Sequence, residues 1–597
     1  MELAEILKLY DVIVIDAEFK QARGTGEHQY PWCLSWWSLR DLEERRVWLE
    51  DHVPPCPYDD QTIVVAFYAP AEVSTFLQLG WPRPKLVVDL FAEYAVKTNG
   101  LLGSRSLLDA MRFHGLDAID HAYKKECRDQ LIHTEPPFPE EWKQGALDYN
   151  WQDVDMTTRL LAEMAPDIDW PRGLLRGSYM ACLSDVERAG VPIDLDLYRW
   201  LQDHWDEIKL RMIDSCGLDV FEGTTFSQKK FANYLREKHI VSWELTESGY
   251  LVLKGKYFER MAFEYPELRP LLSVKRTLDT FDRFSLAVGP DGRNRAPWFA
   301  FGSKTGRNQP KGSNVFGNHS RWIKGLVTPP EGRAIVELDY SQQEFGIAAA
   351  LSQDEAMLSA YRSGDPYMAI AIMAGDAPVG ATKHTHPEIR QRYKVVALAT
   401  QFGSTFLGIA RQLQVQPAEA ALLLQSYNRV FKTFRAWQIS KRDNADWTGE
   451  MVLPHGWRMW KGDGVKWRTV DNFWMQGTGA EMLRAATVRL HDAGITVIGL
   501  IHDAVVLETD LRCADVVADR AAAILGDVSE TILQGRLRLS TDTKIIRPGE
   551  RMLCPEAMPM WDVVTGPYFD AQVGASPTQG GSQSQSGVGA SPSRRWE

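Results

Sequence analysis

Three short apolar runs in this 597-residue chain lead directly into carboxylates, and this constrains the fold more than any other feature. Val12-Ile13-Val14-Ile15 runs into Asp16-Ala17-Glu18. Ala334-Ile335-Val336-Glu337-Leu338 runs into Asp339. Ile495–Ile501 runs into His502-Asp503, and Val505–Glu508 then turns back as a further apolar run. Short apolar runs bounded by polar turns read as buried strands, and the last pair reads as a hairpin with His-Asp at its tip. Thr62–Phe67 and Leu86-Val87-Val88 read as two more strands, and helical patterns cover Ser104–His114 and Leu147–Met164. Strands interspersed with long helices predict a multidomain chain of α/β and α+β type.

Charge divides the chain further. Residues 1–165 hold 28 Asp and Glu against 16 Lys and Arg, so they carry the whole net charge of −12. The remainder is balanced but patterned: residues 297–330 hold Lys304, Arg307, Lys311, Arg321 and Lys324 with no acid. Such a stretch is either a solvated basic loop or a phosphate-contacting surface, because affinity for a polyanion depends on local charge. The seven cysteines form no CxxC pair, which speaks against a zinc ribbon or disulfide framework and fits a reducing compartment such as the cytoplasm. No apolar run approaches a membrane span, and the opening MELAEILKLYDVIVIDAEF lacks the basic lead-in of a signal peptide. Pro166–Pro171 marks a boundary. Residues 172–296 read as mostly helical, and from about Ala575 the Gly, Ser, Gln and Pro content predicts disorder.

The carboxylates suggest chemistry. Asp16 and Glu18, two apart on a strand, share a face. Tyr149 and Asp153, four apart on a helix, also share one. Acids that converge without cations repel one another. Hard divalent ions relieve that repulsion, and a pair of them supports phosphodiester hydrolysis. Asp339 and Asp503 close separate strands; either is a turn former alone, and neighbouring strands would bring them together at one sheet edge. Between them, Arg390, Lys394, Leu398 and Phe402 follow at four-residue steps. Two cations followed by apolar and aromatic groups suit a nucleoside triphosphate, and equally suit a helix with one basic and one buried end.

Taken in order, Thr305-Gly306-Arg307, Asp339-Tyr340-Ser341-Gln342-Gln343-Glu344, Arg390 with Lys394, Gln476-Gly477-Thr478-Gly479-Ala480 and His502-Asp503 resemble the motifs of family A DNA polymerases. Gly190-Val191-Pro192-Ile193-Asp194 is similar to the segment that opens their polymerase module. The N-terminal acids resemble a DnaQ-like 3′–5′ exonuclease. The resemblance implies a ribonuclease H-like exonuclease domain over 1–170, a helical connector and thumb over 171–296, and palm and fingers of a right-hand polymerase over 297–565. A disordered tail would cover 566–597. It implies template-dependent DNA synthesis from dNTPs with 3′–5′ proofreading. Asp339 and Asp503 would bind Mg²⁺ (or Mn²⁺), and Arg390, Lys394, Leu398 and Phe402 would face the dNTP. Glu344 would exclude a ribose 2′-hydroxyl, and Arg307, Gln476 and His502 would touch primer-template DNA. Asp16, Glu18, Glu72 and Asp153 would hold the exonuclease metals, with Tyr149 orienting the attacking water.

The chain departs from that pattern in several places. The middle exonuclease motif has Tyr68 for Asn, Ala71 for an aromatic residue and Glu72 for Asp. Leu398 and Phe402 replace aromatic and Tyr residues, Ala504 replaces Glu, and Tyr367 stands where many relatives have His. With the compact length, these features are more similar to phage replicases, which implies replication in a bacterial host's cytoplasm. The implied partners are primer-template DNA, dNTPs and a processivity factor or other replisome proteins, around a monomer. Two other readings stay open: an exonuclease whose C-terminal region binds DNA without synthesis, and a single-subunit RNA polymerase, against which Glu344 argues. His384 and His386 read as a solvated loop, and the absence of GxxxxGK[ST] leaves no signal for a helicase.

Overall fold

The computed structural model describes residues 3–574 except 21–25, 102, 119–136, 241–242, 254, 282–284, 318–319 and 463. The chain divides into two compact units: Met1–Leu195 with Thr280–Met552, and Asp196–Asp279 with Leu553–Glu597.

The first unit contains two main sheets. One has five strands, β1 (Asp11–Lys20), β2 (Tyr30–Ser38), β3 (Glu43–Trp48), β4 (Thr62–Ala66) and β5 (Leu86–Asp89), in the order β3-β2-β1-β4-β5. β1 pairs antiparallel with β2 and parallel with β4, so it is central, and Val12 to Ile15 are fully buried. Helices α1 (Pro70–Gln78), α2 (Leu90–Thr98), α3 (Glu140–Met164) and α4 (Trp170–Ala189) surround it. Val154, Leu160 and Leu161 of α3 join Val12, Val14, Ile63, Val65 and Val88 in one core. α4 lies against β5 so closely that a Cβ at Gly177 would stand 2.0 Å from the Val87 carbonyl oxygen. This close packing carries the first unit past the predicted Pro166–Pro171 boundary as far as Leu195.

The second sheet has four antiparallel strands, β6 (Arg333–Tyr340), β7 (Thr496–Ile501), β8 (Ala504–Asp510) and β9 (Thr541–Ile546), in the order β7-β8-β6-β9. Three helices matter for the site near it: α5 (Gln343–Ser352), α6 (Pro387–Gln401) and α7 (Trp467–Asp492).

The second unit is mostly helical. Its core gathers Phe231, Phe258, Leu268, Leu271 and Val274. Its last helix, Met558–Gly574, covers residues 566–574, which the resemblance had assigned to a tail; residues 575–597, where the composition predicts disorder, lie outside the described residues. Tyr568 of this helix packs obliquely on the Trp200 ring. Among the described residues no helix is long and apolar enough to cross a membrane.

Candidate active sites

Strand register builds the first site. β6 pairs with β8 so that Asp339 faces Ala504, which leaves Asp503 in the turn just beyond it. The Asp339 and Asp503 carboxyls come within hydrogen-bonding reach. The Asp339 carboxyl is pushed up to about 7, first by partial desolvation and next by the Asp503 charge, with Glu337 and Asp542 adding to it. Asp542 stands opposite Asp339 on β9. Glu337 and Asp542 were not anticipated as site neighbours. Glu337 is visible in the sequence as an acid two residues before Asp339, on the same strand face. Asp542 carries no local signal, since only the pairing of β9 brings it there.

The motif residues gather around this pair. Gln342 takes a left-handed conformation (φ 46°) and starts α5, placing Glu344 in its first turn. Glu344 accepts a 3.3 Å hydrogen bond from the Arg307 guanidinium. Burial raises its carboxyl while Arg307 opposes the shift; the Asp503 charge and a bond from Gln476 also act on it. His502, at φ 54° in the hairpin tip, has its imidazole pushed down by burial and by Arg307 and Lys324, against Asp503. Arg307, Gln476, Glu344, His502, Asp503 and Asp339 therefore share one neighbourhood.

The turn carrying Arg307 is tightly held. Gly306 has φ 73°, and a Cβ there would meet the Trp457 ring at 2.9 Å. The Arg307 amide donates to Ser303 Oγ (3.0 Å), Trp457 Nε1 to the Lys304 carbonyl (3.0 Å), and Arg484 to the Gly306 carbonyl (2.8 Å). Glycine in mid-helix costs about 1 kcal/mol against alanine. Gly479 of α7 is explained by close approach, since a Cβ there would lie 2.2 Å from Gln343 Oε1.

Arg390, Lys394 and Leu398 lie on α6, and Phe402 follows at its C-terminal end. Arg390 Nε donates to Asp365 at 2.6 Å, and its guanidinium lies 5.5 Å from the Tyr367 ring centre. The Tyr367 hydroxyl is pushed up to about 12 by burial; Arg390 opposes this and Glu344 adds to it. Tyr367 thus stands between α6 and the Glu344 neighbourhood. Among the described residues, no hydrogen bond or ion pair joins Lys394, Leu398 or Phe402 to Asp339 or Asp503.

A second site lies on the five-stranded sheet. Asp16 and Glu18 sit within β1 as the sequence suggests, and the strand continues two residues past Glu18 to Lys20. α3 brings Asp153 to them, and one oxygen from each of the three lies within 4.8 Å of the others. Asn150, one turn before Asp153, donates to Asp16 Oδ2 at 2.6 Å. Tyr149 shares the helix face but is buried beside Trp32, Cys33 and Phe138. Glu72 of α1 is 3% exposed. Burial, and then the Asp16 charge, hold its carboxyl well above the usual range, and its Oε2 has no hydrogen-bond partner among the described residues. It is close enough to feel Asp16 and Glu18 but is not one of the three clustered acids.

Both sites offer only carboxylate oxygens as charged donors, and the mutual repulsion of Asp339 and Asp503 is what a hard dication relieves. The residues therefore fit Mg²⁺ or Mn²⁺.

Comparison with known proteins agrees with this geometry. The sequence profile of DNA polymerase family A matches residues 308–545. The chain is 28% identical over 335 residues to DNA polymerase I of Mycobacterium leprae, covering 53% of this chain and 34% of that protein. It is 25% identical over 407 residues to DNA polymerase I of Pseudomonas aeruginosa, covering 60% and 43% respectively. The chain thus spans well under half the length of these relatives. Among solved structures, the fold is similar to the POL domain of Pol1 from M. smegmatis, in complex with DNA primer-template and dNTP. That match has a TM-score of 0.70 and 20% identity, and covers 92% of this chain and 97% of the other. Residues 308–545, which carry Asp339, Asp503 and their neighbours at one sheet edge, are thus the part of the chain that matches DNA polymerase family A.

Proposed function

We propose that the chain is a template-dependent DNA polymerase that extends a primer 3′-hydroxyl with dNTPs, with a 3′–5′ exonuclease in its N-terminal module. The observation that carries the reading is the meeting of Asp339 and Asp503 beside the Arg307–Glu344 pair. Divalent ions held by Asp339 and Asp503 would lower the pKa of the primer hydroxyl and neutralise charge on the leaving pyrophosphate. Arg390 and Lys394 orient the triphosphate, with Arg390 exchanging Asp365 for a phosphate oxygen. Glu344 occupies the space a 2′-hydroxyl would need, which favours deoxynucleotides over the RNA polymerase alternative. Arg307, Gln476 and His502 hold the primer-template near the growing end without reading its sequence.

The convergence of Asp16, Glu18 and Asp153 supports the exonuclease reading. In this reading residues 1–170 trim the primer, 171–296 connect and grip duplex, and 297–565 synthesise. The role is replication of a phage genome in a bacterial cytoplasm.

Primer extension on a recessed 3′ end, run with and without dNTPs and Mg²⁺, tests the proposal. Extension with dNTPs and trimming without them is the expected pattern. Trimming alone under both conditions would instead identify a nuclease with a non-synthesising DNA-binding region.

A further inference from the structure

Asn99 is fully buried at the C-terminal end of α2, in the N-terminal module, and none of its hydrogen bonds serves the carboxylate cluster there. Its Nδ2 donates to two carbonyl oxygens distant in sequence: Lys304 at 2.7 Å and Arg458 at 2.7 Å. Its Oδ1 accepts from Arg105 at 3.3 Å, and its backbone carbonyl accepts from the Trp460 amide at 2.9 Å. Arg105 also donates to the Phe301 carbonyl at 2.9 Å. Asn99 and Arg105 thus fix the chain just before Thr305-Gly306-Arg307, at Phe301 and Lys304, through bonds that are not part of any helix or sheet ladder.

The Lys304 carbonyl also accepts from Trp457, whose ring packs against Gly306. Asn99 therefore ties together the two segments whose contact sets the direction of the Arg307 turn. A primary amide is the side chain that can do this: it offers two donors from one nitrogen and one acceptor, all satisfied in a buried site. Aspartate has nearly the same shape but would turn two attractions into repulsions between oxygens.

We infer that Asn99 is a positioning residue of the polymerase site, contributed by the N-terminal module, and that it acts by holding Arg307 against Glu344 and the primer-template. This rests on the reading of Arg307 as a primer-template contact. Asn99 touches no reacting atom. Its effect falls on DNA affinity rather than on the chemical step, and it vanishes once the Arg307 side chain is gone.

The test is a double-variant cycle on the full chain, Asn99→Asp and Arg307→Ala singly and together. It is read by fluorescence anisotropy of a labelled recessed duplex and by steady-state extension, with thermal unfolding measured alongside. Asn99→Asp should weaken duplex binding and raise the KM for primer-template about tenfold, and change kcat less than about twofold. In the Arg307→Ala background it should add less than about twofold. Unchanged affinity, or losses that multiply in the double variant, would overturn the inference. If Asn99→Asp does not fold, Asn99→Ser, which keeps one donor, decides by the same cycle. Lack of extension by the wild type would be a failure of the polymerase reading; the anisotropy cycle needs no turnover and still reports whether Asn99 works through Arg307.

Discussion

Asp339 and Asp503, 164 residues apart in the chain, bring their carboxyls within hydrogen-bonding reach because β6 and β8 pair with Asp339 opposite Ala504. Asp339→Asn or Asp503→Asn removes half of the charged donor set. Extension should fall on the order of 10³-fold in kcat, while duplex affinity stays within about threefold, since the contacts of Arg307 and Gln476 remain. Single-turnover extension and anisotropy on the same preparations check both parts, and full extension by either variant would remove the assignment.

Asp365 holds Arg390 in a charge-assisted bond that, in the proposed reaction, an incoming triphosphate would replace. It also caps the following helix, accepting from the Met368 amide at 3.4 Å. Asp365→Asn keeps a capping oxygen but weakens the competitor, so the KM for dNTP should fall about threefold, a part of the 1.5–3 kcal/mol typical of hydrogen bonds to charged groups. Arg390→Lys should raise it about tenfold, because the guanidinium fork is lost. Steady-state incorporation of a single dNTP measures both.

Asn150 acts on the N-terminal site through Asp16 Oδ2. Asn150→Leu should slow 3′ trimming about 10- to 100-fold, the range for a group that orients a metal ligand, and should leave extension unchanged. Trimming of a labelled single strand without dNTPs is the readout. An equal loss of extension would point to general disruption.

Glu481 on α7 is 4% exposed, makes no ion pair among the described residues and accepts from the Trp457 amide at 3.1 Å. Burial pushes its carboxyl up to about 7, against Arg484 and the backbone bonds. With the folded value above the unfolded one, the neutral form favours the fold; that stability is complete below the unfolded pKa of about 4.3 and is lost as pH rises to about 7. Glu481→Gln should therefore gain on the wild type by about 3 kcal/mol between pH 4 and pH 8. Urea unfolding at a series of pH values measures the difference, and a flat difference would rule out the raised carboxyl.

Much of the site was legible in the sequence because its chemistry lies in local patterns. Apolar runs ending in Asp16, Asp339 and His502-Asp503 identified their strands, and four-residue spacing put Arg390, Lys394 and Leu398 on one helix. Where the reading missed, the cause was non-local. The expected strand closed at Asp16-Ala17-Glu18, but β1 continues to Lys20 because Phe19 and Lys20 still pair with Pro31 and Tyr30 of β2. The helix Met558–Gly574 covers 566–574, which the resemblance had assigned to the tail, and its Tyr568 packs on Trp200, remote in sequence.

The sequence by itself determined which residues carry charge, where strands and helices begin and which motifs follow one another. These depend on side-chain periodicity over a few residues. Only the tertiary structure decided that Asp542 stands opposite Asp339, that Asp365 occupies Arg390, and that Asn99 braces the Arg307 turn. Each of those relations is a register or a hydrogen bond between segments far apart in the chain, so it exists only once the sheets and helices have packed.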